Sequence, residues 1–176
     1  NQIRLGQRES VSDCARNLER WVDGIMARTF AHETVLELAA AADVPVINGL
    51  TDKLHPCQIL ADLLTLKEHL GTVEGIKVAF VGDGNNVANS WLNAASRIPF
   101  DLAVACPAGY EPNDEVVAYA REHARGRIVI TQDVEETVRD ADAVYTDVWA
   151  SMGQEDEVEQ RRKDFKDYCV TADVLR

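Results

Sequence analysis

The sequence predicts an α/β fold of open parallel sheets with helices on both faces. Short β-branched runs alternate with longer segments of helical periodicity along the whole chain, and single helical segments separate successive runs. Strands joined through one helix are not hairpins, and right-handed crossovers lay them parallel. Composition sets the bounds. With 176 residues, 46% apolar and 27% charged, the chain can bury a sizeable core, and no apolar stretch approaches the length of a membrane span.

The elements follow in order. Ser10 and Ser12 precede Ala15, Leu18, Val22 and Ile25, an apolar stripe at 3- and 4-residue spacing behind cap-type residues, which predicts a first helix. A short apolar run around Ile25 and Met26, ending at Ala27-Arg28, predicts a strand. Residues 34–42 are helical by composition, and residues 44–47 form a β-branched strand closed by Asn48-Gly49. Residues 56–70 give the cleanest helix: Pro56 occupies the first position, Ile59, Leu60, Leu63, Leu64 and Leu66 lie largely along one side, and Gly71 ends it. Strands are then expected at 77–81, 102–105, 127–130 and 143–146, with helices at 87–97, 114–124 and 135–139 between them and a last charged helix over 154–168.

The long helix follows two such units and precedes four, which places a domain junction there. Residues 1–55 are expected to be the C-terminal part of one αβα domain, 56–70 an interdomain helix, and 71–176 most of a second, Rossmann-like domain. The chain starts at Asn1 without methionine and stops at Arg176 in what reads as the start of another element, so it is expected to be a piece of a longer protein.

Thirty acidic against eighteen basic residues give a net charge of −12, a field that repels polyanions and argues against nucleic acid as a partner. Thirteen of the basic residues are Arg and five are Lys. An acidic, lysine-poor surface fits a high-salt cytoplasm, and an arginine-rich, GC-rich genome explains the skew equally well. The four cysteines (Cys14, Cys57, Cys106, Cys169) are far apart and there is no signal-like N-terminal segment, which predicts a reducing, cytoplasmic setting with free thiols and no membrane partner. His32, His69 and His123 show no metal-ligand spacing and are expected to be solvated; neither a metal nor another cofactor is expected.

In open parallel sheets ligands bind beyond the carboxyl ends of strands. After the strand at 77–81 comes Gly82-Asp83-Gly84-Asn85-Asn86, in which glycines let a ligand approach the backbone and the following helix N-terminus offers free N–H groups to an anion. A polar turn with an asparagine helix cap is the competing reading, and Val87 in place of a third glycine disfavours a dinucleotide. After the strand at 143–146 comes Asp147-Val148-Trp149-Ala150-Ser151-Met152-Gly153, where an acid at a strand mouth can grip an amine; Trp149 as a packing anchor and Ser151 as a cap are the alternative. In His55-Pro56-Cys57-Gln58 the residue before proline is held extended, so the His55 ring projects at the helix entrance with Gln58 one turn on, a pairing suited to a polarised carbonyl oxygen. Arg28, at the end of its strand, is a natural clamp for phosphate or carboxylate, or a surface ion pair. The run Glu155-Asp156-Glu157 with Glu159 is ordinary helix chemistry, with Glu157–Arg161 and Glu159–Lys163 as i,i+4 pairs and no function assigned.

Taken together, His55-Pro56-Cys57-Gln58 followed by Leu60-Ala61-Asp62-Leu63-Leu64-Thr65, then residues 82–86, then Asp147-x-Trp149-x-Ser151-Met152-Gly153-Gln154-Glu155 closely resemble the ornithine carbamoyltransferase family over the whole length of the chain. H-P-x-Q is common to the carbamoyltransferases, and D-x-W-x-S-M-G points to ornithine as acceptor. The resemblance implies transfer of a carbamoyl group from carbamoyl phosphate to the side-chain amine of L-ornithine, without metal or organic cofactor, in a homotrimer or assembly of trimers. Arg28 would then hold the phosphate, His55 and Gln58 the carbamoyl oxygen and amide, and Asn86 and Asp147 the α-carboxylate and α-ammonium of ornithine, assisted by Ser151 and Met152.

Two family segments, S-x-R-T-R upstream and H-C-L-P downstream, are absent from the 176 residues, and Arg4 stands where the family often has Gln or His. The isolated chain is therefore expected to be inactive and the complete enzyme active. A carbamoyltransferase for another acceptor, and a non-catalytic binding or assembly module of the same fold, are the alternative readings.

Overall fold

The computed structural model describes residues 6, 8–150 and 153–175; Arg4, Ser151 and Met152 lie outside the described residues. The chain divides into two compact units, residues 1–57 and 58–176.

The first unit contains α1 (Val11–Leu18), β1 (Ile25–Arg28), α2 (His32–Ala41) and β2 (Val46–Leu50). β1 and β2 pair in parallel, with Ile25 opposite Val46 and Met26 opposite Ile47. Val11 and Ala15 of α1, Val35 and Leu38 of α2 and Ala27 of β1 form one core, while Met26 and Ile47, pointing to the other face of the pair, are exposed.

The structure corrects two expectations in this unit. The stripe from Ala15 to Ile25 is not one helix: α1 stops at Leu18, the N–H groups of Arg20 and Trp21 turn back to Asn17 and Leu18, and Ile25 opens β1 by donating to the Pro45 carbonyl. Only Val11 and Ala15 of the helix are buried, and Trp21 is 80% exposed, so nothing rewards continuing the helix. Asn48-Gly49 does not close β2 but lies inside it, with no left-handed φ at Gly49. The close neighbour there is a side chain: a Cβ would fall 2.6 Å from the Met26 Sδ, which would have to move aside, and 3.1 Å from the Ala27 carbonyl oxygen.

α3 (Pro56–Leu70) leads into the second unit, followed by β3 (Lys77–Val81), α4 (Asn86–Ala95), β4 (Asp101–Ala105), α5 (Asp114–His123), β5 (Ile128–Thr131), α6 (Val134–Val138) and β6 (Ala143–Thr146); a 3₁₀ turn (Glu155–Glu157) then precedes α7 (Val158–Asp164). The four strands are parallel in the order β5-β4-β3-β6. On one face Val78, Phe80, Leu102 and Val104 pack with Ile59 and Leu63 of α3, Trp91 and Leu92 of α4 and Val117 and Ala120 of α5. On the other, Val81 and Ala105 pack with Phe165 and Tyr168 beyond α7 and with Val134 and Val138 of α6. Burying each large side chain of this kind contributes about 1.5–3 kcal/mol, and Trp91 adds edge-on contacts to Phe100 and Tyr145 at 5.9 and 5.7 Å. The apolar side of α3 is narrower than expected: Leu60 and Leu64 are 66% and 57% exposed.

The order of strands reverses at β3. α4 and α5 carry the chain outward through β4 to β5, and α6 returns it to β6 on the opposite side of β3. The carboxyl ends of β3 and β6 therefore flank the topological switch point, the place where open α/β sheets bind ligands.

Candidate functional site

Val81 pairs with Thr146, so the loops after β3 and β6 start side by side. Asn85 joins them. Its Oδ1 accepts from the N–H groups of Val87 and Ala88 at 2.9 and 3.3 Å, capping α4, and its Nδ2 donates to Asp147 Oδ2 at 3.3 Å. The other Asp147 oxygen accepts the Val148 N–H at 2.8 Å, so the half-buried carboxylate is held from both sides. Asn86 is the first residue of α4, buried, with its carbonyl taking the Ser90 hydroxyl at 2.7 Å. Asn86 and Asp147 thus follow adjacent strands, and Asn85, which the sequence offers as a helix cap or as part of a ligand loop, caps α4 and ties the two loops together.

The glycines of this loop also meet demands of the chain itself. Gly82 adopts φ 145°, which favours glycine. At Gly84 the close approach is to the chain's own backbone: a Cβ would lie 2.3 Å from the Pro112 nitrogen, and the Gly84 N–H donates to the Tyr110 carbonyl at 2.9 Å.

Beneath both loops lies a buried ion pair that charge patterning did not reveal. Arg161 of α7 donates through Nη1 to Asp83 Oδ2 at 2.7 Å, both side chains less than a tenth exposed, and through Nε to Glu157 at 2.8 Å. The same Nη1 donates to the Trp149 carbonyl at 2.9 Å, and the guanidinium lies over the Tyr110 ring, 4.9 Å from its centroid. Burial pushes the Asp83 carboxyl up from its ordinary value, against the pull of Arg161. The expected Glu157–Arg161 pair is present, joining an exposed Glu157 to the buried guanidinium; Glu159, expected to pair with Lys163, pairs with Arg162 at 3.1 Å. Trp149 packs on Phe165, centroids 6.0 Å apart.

In the first unit, Arg28 ends β1 exposed, where the register with β2 shifts. Beyond β2, buried Thr51 closes a tight turn: its N–H donates to the Leu54 carbonyl at 2.8 Å and its hydroxyl accepts the Leu54 N–H at 3.1 Å. That turn delivers His55, half-buried with Nδ1 out of solvent, at the start of α3. His32 is not a solvated histidine: its Nδ1 lies 3.0 Å from the Thr51 hydroxyl and its N–H donates to Asp52 at 3.1 Å. His69 and His123 are exposed, as expected, His123 stacking on Tyr119 and bonding its carbonyl at 2.9 Å.

Gln58, in the second unit, donates through Nε2 to Asp62 Oδ1 at 3.0 Å, one turn along α3. Asp62 also faces Tyr145 of β6, whose phenol is pushed well up by burial, by the charges of Asp62 and Asp147, and by a hydrogen bond to Asp62. Asp62 stands in the motif that carries the family resemblance but has no role assigned there, and Tyr145 reads from the sequence only as part of a strand. Burial, then the charges of Glu111 and Asp83, push the Cys106 thiol up to about 12, which makes it inert. Among the described residues no group of three His, Cys, Asp or Glu side chains is placed to hold a metal, and no helix is long and apolar enough to cross a membrane.

Polar side chains gathered at the switch point of an open parallel sheet are the arrangement at which α/β proteins bind ligands, and comparison makes the class specific. Residues 1–68 match the domain family described as aspartate/ornithine carbamoyltransferase, carbamoyl-P binding domain, and residues 74–176 match the aspartate/ornithine carbamoyltransferase, Asp/Orn binding domain. The chain belongs to the aspartate/ornithine carbamoyltransferase family. It is 54% identical over 171 residues to the ornithine carbamoyltransferase of Geobacter metallireducens, covering 97% of this chain and 56% of that protein. It is 51% identical over 175 residues to the chloroplastic ornithine carbamoyltransferase of Pisum sativum, covering 99% and 47%. Among solved structures, the ornithine carbamoyltransferase from Pyrococcus furiosus superposes with a TM-score of 0.93 at 49% identity, covering 98% of this chain and 56% of that one. The chain thus spans about half the length of the curated relatives it matches.

Proposed function

We propose that the full-length protein carrying this chain transfers the carbamoyl group of carbamoyl phosphate to the side-chain amine of L-ornithine, giving citrulline and phosphate. The observation that carries this reading is the pair of family domains in sequence order, together with an Asp147 carboxylate clamped by Asn85 at the switch point of the second. Arg28 binds the phosphate through its planar fork. His55 and Gln58 hold the carbamoyl oxygen and amide, and donors aimed at that oxygen stabilise the charge that develops as the amine attacks. Asn86 and Asp147 orient the α-carboxylate and α-ammonium of ornithine; Ser151 and Met152 assist, on the strength of the family motif alone. The nucleophile is the substrate's own neutral amine, so the rate rises on the alkaline side.

In this reading residues 1–55 are the end of the carbamoyl-phosphate domain, 56–70 the connecting helix and 71–176 the ornithine domain. The protein works in arginine biosynthesis as a cytoplasmic homotrimer or assembly of trimers. Four free thiols support the compartment, and the exposed Trp21, Met26 and Phe30 offer apolar surface for subunit contacts.

Asp147→Asn tests the placement of the acceptor. Loss of a charge-assisted bond costs about 1.5–3 kcal/mol, so the Michaelis constant for ornithine is expected to rise about ten- to a hundredfold while that for carbamoyl phosphate stays near the wild-type value. Equal losses for both substrates would show that Asp147 supports the fold instead.

A further inference from the structure

A glutamine side chain offers two unlike ends, an acceptor oxygen and a donor nitrogen, and an isolated amide can turn either toward a ligand. In this protein the choice is made by Asp62. The two lie one helical turn apart on α3, 3.0 Å between Gln58 nitrogen and Asp62 oxygen. A carboxylate has no hydrogen to give, so only the Nε2 end of Gln58 can face it. Tyr145, which also faces Asp62, is kept a phenol by burial and by the charges of Asp62 and Asp147 and so has a hydroxyl hydrogen to offer a carboxylate. Tyr145 is itself fixed, stacked on Phe80 at 5.7 Å and edge-on to Trp91 at 5.7 Å.

We propose that Asp62 is a specificity-determining positioning residue: by engaging the Gln58 nitrogen it presents the Gln58 oxygen to the donor substrate, so that the site selects an acyl group bearing N–H over one bearing a carboxylate oxygen at the same place. The inference rests on the reading of Gln58 as a contact to the carbamoyl amide. It explains why an acid stands at position 62, where a helix side chain in contact with a partly buried tyrosine would otherwise be apolar. With the Gln58 oxygen outward, a carbamoyl NH₂ donates to it, whereas a carboxylate in its place sets oxygen against oxygen.

The test uses the full-length protein and two hydrolytically inert probes that differ only at that position, phosphonoacetamide and phosphonoacetate, titrated by calorimetry. The wild type is expected to prefer the amide by tenfold or more. In Asp62→Asn the new side-chain amide can donate to the Gln58 oxygen, turning the Gln58 nitrogen outward; the preference is expected to shrink to within about threefold or to invert in favour of the carboxylate. Asp62→Leu, which leaves no polar group to bury, is expected to lose the preference as well and decides the matter if Asp62→Asn does not fold. A purely structural role weakens both probes alike and leaves their ratio at the wild-type value, and that result would overturn the proposal. Citrulline formation by the wild type separates the two failures. If the wild type makes citrulline and the variants keep the preference, only the role of Asp62 falls; if the wild type makes none and binds neither probe, the reading of the site falls with it.

Discussion

At Gly49 and Gly84 glycine has the chain itself as a close neighbour, and that proximity is invisible in a sequence. Both stand in polar, turn-like contexts, yet one makes room for the Met26 side chain and the other for residues 110–112 of a neighbouring loop. Charged and polar residues at strand ends are more legible, because topology brings them together whatever their neighbours do: Asn86 and Asp147 could be named as candidates once the strands were placed. Asn85 and Asp62 stand in the quoted motifs without a site role, since the contact each makes, to Asp147 across the sheet and to Gln58 along the helix, is set by the fold. The role proposed for Arg28 has a direct check. Arg28→Lys keeps the charge and removes the bidentate fork; kcat/KM for carbamoyl phosphate is expected to fall at least tenfold with the melting temperature unchanged. Normal turnover by this variant would make Arg28 an ordinary surface arginine.

Among the elements, α3, β3 and β6 have the boundaries that periodicity and β-branched runs predict, because propensity, a Pro at the first helical position and the burial pattern agree there. The charged segment after β6 was the least legible. Its i,i+4 charge pattern is that of a solvated helix, and only the fold shows that Arg161 turns inward to Asp83 and reaches the Trp149 carbonyl. One guanidinium therefore binds the chain on both sides of residues 150–156, through Trp149 and Glu157, and ties α7 to the loop after β3. Breaking one half of a buried pair leaves an uncompensated charge and costs about 3–5 kcal/mol, whereas replacing both halves with apolar groups is close to neutral. Arg161→Met is expected to destabilise the full-length protein by that amount in urea titrations, and Asp83→Leu combined with Arg161→Met is expected to recover most of the loss. The pH dependence has a definite sign. Without Arg161 the folded-state pKa of Asp83 lies further above its unfolded value, so the deficit is smallest in acid, where the carboxyl is neutral in both states, and grows as pH rises through the folded value. Additive losses in the double variant would contradict a direct pair.

For the molecule as a whole, a net charge of −12 with only five lysines sets up self-repulsion among carboxylates. The Debye length is about 30 Å at 0.01 M salt, about 8 Å at 0.15 M and about 3 Å at 1 M. If the charge is an adaptation to a high-salt cytoplasm, the melting temperature of the full-length protein continues to climb in potassium chloride from 0.15 M to molar concentration; a midpoint flat above 0.15 M assigns the arginine skew to genome composition. The central claim concerns the acceptor, and product analysis tests it most directly. Full-length protein is incubated with carbamoyl phosphate and, in parallel, with ornithine or with aspartate. The account predicts citrulline from ornithine, at a rate rising between pH 7 and 9 as the amine loses its proton, and no carbamoyl-aspartate from aspartate. Carbamoyl-aspartate in place of citrulline, or no carbamoylated product from either acceptor, would contradict it.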